Sequence, residues 1–163
     1  MCPSVLKADL MRIGIISDTH GLLRPEVLAT LRDSNVDHIL HAGDVGNPVI
    51  LEALRQIAPT TAIRGNIDTH GPCAQLPATE AVELAGHLFY LIHSVHDLDI
   101  DPAAASISAV ISGHSHRPET RTHRGVLYLN PGSCGPRRFD LPITLNLLTI
   151  TANTLHPRLI PLL

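Results

Sequence analysis

The sequence predicts a single α/β domain whose first half alternates strand and helix and whose second half is mostly β-strand. Three apolar runs, Met11–Ser17, Val36–Leu40 and Thr60–Arg64, are too short for helices and are typical of buried strands. The stretches between them, Pro25–Ser34 and Pro48–Ala58, each begin with a proline, which favours the first position of a helix. The resulting βαβαβ order implies right-handed crossovers and a parallel sheet.

The second half of the chain predicts shorter strands and a different connectivity. Ala81–Leu84 and His87–Ile92 are separated by two residues, which predicts an antiparallel hairpin. Asp101 followed by Pro102 predicts the start of a short helix that runs through Ala105. Further strands are predicted over Ala109–Ser112, Arg121–Leu129, Ile143–Thr151 and Leu155–Ile160. The last two could pair as a hairpin around Ala152 and Asn153.

The length of 163 residues is typical of one domain. Residues 1–10 contain Pro3, Lys7 and Asp9 but no continuous apolar run, so they do not match a signal peptide. Our hypothesis is that residues 1–10 are a disordered N-terminal extension and that residues 11–163 form the domain.

Composition excludes several classes of protein. Apolar residues make up 44% of the chain and charged residues 17%, which is typical of a globular protein. The net charge is −3 and the arginines are dispersed, so nucleic acid is disfavoured as a partner. Because no apolar run approaches the ~18 residues of a membrane span, we expect no membrane association. Three cysteines without a CxxC pair favour a reducing compartment, and we expect a cytoplasmic protein; a homo-oligomer is left open.

Potential metal ligands follow the apolar strands directly. The chain contains eleven histidines, and histidine is the commonest metal ligand in proteins. Since sites in open α/β sheets form beyond the carboxyl ends of the strands, we expect the side chains at these positions to converge. They are Asp18, His20, Asp44, Asn66, His93, His114 and His116. Glycine precedes Asp44, Asn66 and His114, where it keeps the backbone thin beside a crowded centre.

The chemistry of these seven side chains is coherent. Two carboxylates, one amide and four imidazoles can fill two metal sites if one carboxylate bridges them. Such donors favour manganese, iron, zinc, nickel or cobalt over calcium or a closed structural zinc. Two dications would keep net positive charge beside two aspartates, which suits a phosphate group. Each short pair taken alone, such as Asp18 with His20, is more often a solvated turn.

Six ordered motifs stand out along the chain: Ser17-Asp18-Thr19-His20-Gly21, Gly43-Asp44, Gly65-Asn66-Ile67-Asp68, His93, Gly113-His114-Ser115-His116 and Asn130-Pro131-Gly132-Ser133. Together they resemble the calcineurin-like metallophosphoesterases, most closely their minimal bacterial and archaeal phosphodiesterase branch. The resemblance runs from Met11 to the C-terminus. It implies two mixed β-sheets packed as a sandwich and flanked by helices, a four-layer αββα arrangement with the metal centre at one edge.

The resemblance also implies roles for individual residues. Asp18, His20 and His116 resemble ligands of a first metal, and Asn66, His93 and His114 resemble ligands of a second. Asp44 matches the bridging carboxylate. The implied reaction is in-line attack of a metal-bridging hydroxide on the phosphorus of a small phosphoester, with Asp44, Asn66 and His93 as catalytic residues. Two divalent ions are implied, with manganese favoured over zinc, iron, nickel or cobalt.

Residues around these ligands are assigned to supporting roles. Asp68 resembles a residue that orients a ligand such as His20, although Asp68–Gly71 also repeats the letters of Asp18–Gly21. His41 is expected to be a hydrogen-bonded core histidine. The Asn130–Ser133 loop is expected to support the site. Substrate contact is left open for His96, Arg137 and Arg138, whereas Arg121 and Arg124 are expected to be solvated.

The chain departs from the family pattern at two places. Ile67 stands where many members carry a histidine that protonates the leaving group, which disfavours monoesters with poor leaving groups. His93-Ser94-Val95-His96 replaces the histidine-glycine-histidine of the small phosphodiesterases. The favoured hypothesis is a phosphodiesterase; the alternatives are a phosphomonoesterase that uses His96 or His70 as the acid, and a non-catalytic scaffold of the same fold.

Overall fold

A computed structural model describes residues 10–163 of the chain. It contains two α-helices, α1 (Pro25–Asp33) and α2 (Pro48–Arg55), and two short 3₁₀ turns at Pro72–Gln75 and Val95–Asp97. The ten strands are β1 Met11–Ile16, β2 His38–His41, β3 Thr60–Ala62, β4 Thr79–Leu84, β5 His87–Ile92, β6 Ala109–Ile111, β7 Glu119–His123, β8 Val126–Asn130, β9 Thr144–Thr151 and β10 Thr154–Pro161. Residues 1–9 of the predicted N-terminal extension lie outside the described residues.

The strands form two mixed sheets of five. The first sheet has the order β10-β9-β1-β2-β3, in which β1, β2 and β3 are parallel and β9 and β10 run antiparallel to their neighbours. The second sheet has the order β4-β5-β6-β8-β7, with a parallel centre and antiparallel edges. The expected fold class, two mixed sheets in an α/β sandwich, is therefore confirmed.

The main hydrophobic core lies between the two sheets. Ile13 and Ile15 of β1 meet Phe89 and Leu91 of β5 and Ile111 of β6 in one buried cluster. Parallel strands covered on both faces require nearly continuous apolar sequence, which explains the unbroken run in β1. Burial of both sheets fixes how they face each other, and hence how the loops at their shared edge meet.

A second cluster joins the outer face of the first sheet to the two helices. Ile16 of β1 and Ile39 of β2 pack there with Val27 and Leu31 of α1 and with Leu54 of α2. The outer face of the second sheet is covered by loops instead: Leu98 and Ile107 pack against Val110, Val126 and Tyr128. The helical layer on that side is thus reduced to single turns.

The helix predicted from Asp101 to Ala105 is absent from the structure, and this prediction was wrong. The segment makes one hydrogen-bonded turn, in which Ala105 N–H donates to Asp101 O at 3.0 Å. Ser106 then takes a positive φ of 58°, which ends the turn. Because a helix gains stability only as further turns follow the first, so short a segment does not propagate.

The single strand predicted over Arg121–Leu129 was also wrong, because the structure divides it into β7 and β8. Arg124 and Gly125 have φ values of 50° and 76°, which reverses the chain in a two-residue turn. The other predicted elements differ from the structure by a few residues at their ends. Among residues 10–163, no helix combines the length and the apolar character needed to cross a membrane.

Candidate metal centre

All seven predicted ligands lie at the shared edge of the two sheets. The first sheet contributes the residues that follow β1, β2 and β3, and the second sheet contributes those that follow β5 and β6. The residues are Asp18 and His20 after β1, Asp44 after β2, Asn66 after β3, His93 after β5, and His114 and His116 after β6. Because parallel strands end on the same side of a sheet, the alternation of apolar strand and polar loop brings them together.

Two carboxylates occupy the middle of this cluster. His20 Nε2 lies 3.5 Å from Asp18 Oδ1 and 3.3 Å from Asp44 Oδ2. His93 Nε2 lies 3.2 Å from the same Asp44 oxygen, and His116 Nε2 lies 3.4 Å from Asp18 Oδ1. Three imidazoles therefore face the same two carboxylate oxygens.

The other oxygen of each carboxylate is held by the protein. Asp18 Oδ2 accepts hydrogen bonds from Ser17 Oγ at 2.7 Å and from the His114 backbone N–H at 3.0 Å. Asp44 Oδ1 accepts from the Ile67 backbone N–H at 3.0 Å. Each carboxylate is thus oriented by one oxygen and leaves the other for the centre of the cluster.

Asn66 joins His93 to the fourth imidazole, His114. Its Oδ1 lies 3.1 Å from His93 Nε2 and 3.1 Å from His114 Nδ1. His93 is further fixed by a 2.7 Å hydrogen bond between Nδ1 and the Ala42 carbonyl, so Nε2 is left to face the centre. We refer to Asp18, His20 and His116 as the first group and to Asn66, His93 and His114 as the second group, with Asp44 between them.

The donor set fits a cation. Among the described residues, Asp18 Oδ1, His20 Nε2 and His116 Nδ1 are buried without a hydrogen-bond partner, although buried polar atoms are normally satisfied. One ligand atom from each of Asp18, His20 and His116 lies within 4.8 Å of the others, and the same holds for Asp18, Asp44 and His93. Oxygen and imidazole donors at this spacing suit borderline divalent ions.

The carboxylates and imidazoles of the cluster shift one another's pKa values. Burial would raise the pKa of Asp18, but the nearby imidazoles of His116 and His20 and the hydrogen bond from Ser17 hold it well below its usual range. For Asp44, burial is likewise outweighed by His20 and His93, and the pKa is lowered. The carboxylates of Asp18 and then Asp44, 3.5 and 3.3 Å from Nε2, raise the pKa of His20 to about 9. Burial opposes a charge on His93, yet Asp44 and the Ala42 carbonyl raise its pKa. The lowered carboxylate pKa values and the raised imidazole pKa values show that the two aspartates make this edge favourable for positive charge.

The backbone of the cluster is in an uncommon conformation. The φ values of Asp18, His20, Asp44, His114 and His116 lie between 46° and 71°, in the left-handed region. Such residues cost of order 1 kcal/mol or more each and persist where the surrounding structure over-determines them, often at functional sites. Five of the seven predicted ligands are in this state, so the loops are shaped for ligand placement rather than for lowest local energy.

Glycines allow the two sheets to approach at this edge, as expected from the sequence. A Cβ atom on Gly113 would collide with Ser17 Oγ and Asp18 Oδ2, and one on Gly65 would collide with the Asp44 carboxylate. A larger residue at either position would displace a carboxylate from the centre.

Asp68 supports the site in a different way from that predicted. Its carboxylate accepts three backbone hydrogen bonds, from Val45 N–H at 3.0 Å, Gly46 N–H at 2.9 Å and Gly65 N–H at 2.8 Å. Because its acceptors are directed at these amides, it ties the loop after β2 to the loop after β3 and does not orient His20. His70, in the repeated tetrapeptide, is exposed.

The Asn130–Ser133 loop holds the loops that carry the ligands. Asn130 Nδ2 donates to Gly113 O at 2.9 Å, one residue before His114. Ser133 Oγ donates to Asp18 O at 2.9 Å. These contacts agree with the supporting role expected for the loop. His41 is buried and hydrogen-bonded, also as expected.

The remaining substrate candidates are all exposed: His96, Arg137 and Arg138. Arg137 Nη1 donates to Leu141 O within its own loop, at 3.3 Å. No hydrogen bond or ion pair in the described part of the chain joins these three side chains to the cluster, so substrate contact remains a prediction for them.

A cleft of about 660 Å³ opens beside the second group, and the sequence did not indicate most of its lining. His93, Asn66 and His114 form its inner end, and Tyr90 lies along it. Its remaining lining comprises Arg64, Gly65, Ala78, Thr79, Ile92, Ser94, Asp97 and Asp99. The alternation of β5 could have placed Tyr90 and Ile92 on one face, but the loops that close the cleft come from distant parts of the chain.

The fold and the cluster together define an α/β sandwich protein with a cation-binding edge suited to hydrolytic chemistry. The calcineurin-like phosphoesterase superfamily domain matches residues 11–153, and the chain belongs to this family of metal-dependent enzymes. It is therefore a metal-dependent phosphoesterase.

Individual proteins are also similar to this chain in sequence or in fold. A "Probable metallophosphoesterase" of Methanocaldococcus jannaschii is 34% identical over 163 aligned positions, covering 93% of this chain and 82% of the relative. The structure of an archaeal phosphodiesterase has a TM-score of 0.76 and 25% identity, covering 92% of this chain and all of the other. Vacuolar Protein Sorting 29 of Cryptosporidium parvum has a TM-score of 0.76 at 17% identity, covering 93% and 98% of the two chains, and is similar in fold alone.

Proposed function

We propose that this chain is a phosphodiesterase that uses two divalent metal ions, with manganese as the favoured metal. The observation that carries the proposal is the cluster of ligand atoms around Asp18 and Asp44, where three imidazoles face two carboxylate oxygens. One ion would be held by the first group and the other by the second group, with Asp44 contributing to both.

The side chains divide the work of binding and orientation. Bound divalent ions would lower the pKa of a water molecule and withdraw charge from phosphate oxygens. Asp18 and Asp44 supply two negative charges, which leaves the loaded site cationic and attractive to an anionic ester. The bond from His93 Nδ1 to the Ala42 carbonyl fixes the direction of its ring, and the Ser17 and Ile67 donors fix the two carboxylates.

The preference for diesters is supported by Ile67. Its side chain is 40% exposed at the rim of the cluster, and its backbone N–H is bonded to Asp44. An isoleucine cannot donate a proton, so a poor leaving group would depart without help from this position. The cleft beside the second group has room for one arm of a small diester, with Tyr90 as a flat apolar contact.

The test begins with metal quantification. Protein stripped by a chelator and reloaded with manganese should hold about two ions per chain. On the same sample, turnover of bis-p-nitrophenyl phosphate should exceed that of p-nitrophenyl phosphate. Protein that holds two ions and hydrolyses no diester would overturn the proposal.

The same measurements separate the alternatives. A monoester preference that is lost in His96→Ala or His70→Ala would identify a phosphomonoesterase with a different acid. Both histidines are exposed, so either substitution should leave the fold intact. If the chain binds metal but hydrolyses neither ester, the non-catalytic scaffold would be the better interpretation.

A further inference from the structure

A chain of hydrogen bonds runs beneath the candidate metal centre and joins two of its loops. His41, the last residue of β2, is fully buried. Its Nδ1 lies 3.1 Å from the Gly43 backbone nitrogen and its Nε2 lies 3.0 Å from Thr19 Oγ1. Thr19 Oγ1 in turn lies 2.8 Å from the Val45 carbonyl oxygen. The path connects the loop after β1 with the loop after β2.

The direction of every proton in this path is fixed by its ends. The Gly43 N–H can only donate, so His41 Nδ1 must be the acceptor and the ring proton must sit on Nε2. His41 Nε2–H therefore donates to Thr19 Oγ1. The threonine hydroxyl then donates to the Val45 carbonyl, which can only accept.

The path reaches the predicted ligands through the backbone. Thr19 lies between Asp18 and His20, and Val45 directly follows Asp44. The same two loops are also joined by backbone bonds, from Asp18 N–H to Gly43 O at 3.0 Å and from His20 N–H to Asp44 O at 2.9 Å. The buried side-chain path adds a constraint that holds the loops in one register.

Such a constraint has a clear use at this position. Asp18, His20 and Asp44 all have positive φ values, between 46° and 57°. Conformations of this kind need surrounding contacts that leave no alternative. A buried, fully satisfied network provides them because breaking one bond would leave polar groups unpaired away from water.

We propose that His41 and Thr19 are positioning residues that set the spacing between the Asp18–His20 loop and Asp44, and so the affinity of the first group for its metal. The inference rests on metal binding by these residues, as in the proposed function. Neither His41 nor Thr19 directs its side chain at the cluster, so both act through the backbone they hold.

The experiment compares two substitutions at one position. Thr19→Val keeps the shape of the side chain and removes the hydroxyl, which leaves His41 Nε2–H without an acceptor. Thr19→Ser keeps the hydroxyl. Manganese binding to chelator-stripped protein is measured for each by calorimetry, together with metal stoichiometry and thermal unfolding.

The chain itself offers a matched control. His38 Nε2 lies 2.8 Å from Thr61 Oγ1, a histidine–threonine bond in the same sheet that touches none of the predicted ligands. Thr61→Val makes the same chemical change there. If Thr19 contributed only to stability, both valine variants would have a lower free energy of unfolding than the wild type. Their metal affinities would then be equal.

We expect Thr19→Val to lower the affinity for the first metal by about 10- to 100-fold, the range for lost support of a metal ligand. Thr19→Ser and Thr61→Val should stay within about threefold of the wild type. Wild-type affinity in Thr19→Val, or equal losses in the two valine variants, would overturn the proposal.

A second measurement keeps the test decisive if Thr19→Val does not fold. Nitrogen-15 spectra of the wild-type protein loaded with diamagnetic zinc should show His41 as the neutral ring protonated at Nε2. A ring protonated at Nδ1 would contradict the bond from Gly43 and end the argument. Protein that binds metal but hydrolyses no diester would remove only the proposed function, whereas protein that binds no divalent metal would remove both.

Discussion

The first and second groups of predicted ligands differ in how the protein encloses them. In the first group, Asp18 and His116 are buried and the side chain of His20 is 13% exposed. In the second group, His93 is buried but Asn66 and His114 are exposed. Within residues 10–163, the three buried side-chain atoms without a hydrogen-bond partner belong to the first group, whereas in the second group Asn66 Oδ1 lies 3.1 Å from both His93 Nε2 and His114 Nδ1.

This difference teaches how one edge can both hold a cation and admit a substrate. In the proposed function, the closed first group would retain an ion, because its buried donors have no other partner among the described residues. The open second group borders the cleft, where one arm of an ester would enter. Asp44 touches both, since its Oδ2 faces His20 and His93. The following predictions test this division from the largest expected effect to the smallest.

Removal of Asp44 should disable both groups together. In Asp44→Ala the shared carboxylate is lost, and His20 and His93 lose their common partner. Diester turnover should fall by more than about 100-fold, the upper limit for loss of a residue that merely supports a metal ligand. Metal quantification and turnover of bis-p-nitrophenyl phosphate measure the effect. Two retained ions with activity would show that Asp44 does not join the groups; exposed Asp33→Ala is the control.

The two groups should respond unequally when one histidine is removed from each. His116→Ala removes a buried predicted ligand beside Asp18, and we expect manganese affinity to fall by more than about 100-fold, above the range for a residue that only supports a ligand. His114→Ala changes an exposed position, and we expect a loss of about tenfold. Competition titration with a chromogenic chelator gives both values. Equal losses would mean that enclosure does not distinguish the groups.

Metal affinity should depend on pH, because a metal ion competes with protons for the histidine nitrogens. The pKa of His20 is about 9 in the metal-free protein against a usual value of 6.5, and the pKa of His93 is also raised. Because metal binding must release any proton on these imidazoles, manganese affinity measured by calorimetry should rise steadily from about pH 6 to about pH 9; an affinity that does not change with pH would contradict ligation by His20 and His93.

Metal-free stability should change in the opposite direction. A raised histidine pKa stabilises the folded state fully below pH 6.5, and this contribution disappears as the pH rises through 9. Chelated protein should therefore have a lower Tm at pH 9.5 than at pH 6.5, and His20→Gln should reduce the difference. A Tm that is unchanged between these pH values would contradict the pairing of His20 with Asp18 and Asp44.

The smallest effect is expected in the cleft beside the second group. Tyr90→Ala removes a flat contact and should raise KM for bis-p-nitrophenyl phosphate about three- to tenfold, matching ~0.5–1.5 kcal/mol for an aromatic contact. Metal stoichiometry should not change. Tyr128→Ala is the matched control, because Tyr128 lies on the same sheet outside the cleft, with the Arg121 guanidinium 4.2 Å above its ring. Equal KM values in the two variants would place the substrate elsewhere.

The sequence predicted the strands that carry the ligands more accurately than it predicted the turns and supporting residues around the site. Each apolar run ends where a polar residue follows, and that change is visible in the letters because a buried strand excludes charge. The turn at Arg124 and Gly125 was missed because the strand before it, Glu119–His123, is polar and exposed, so no buried apolar pattern marks it as separate from the apolar strand that follows. The role of Asp68 was also misplaced, because an acidic residue in a loop does not reveal which amides it will accept from.

The sequence by itself determined which side chains could serve as ligands, because residue chemistry and position at a strand end are local properties. Only the tertiary structure decided which oxygen of Asp18 stays free, which group is closed, and that His41 supports Thr19. These features depend on residues far apart in the chain, such as Ser133 against Asp18, that meet only when the two sheets pack. Packing against a shared core, rather than any local pattern, therefore sets the geometry of the centre.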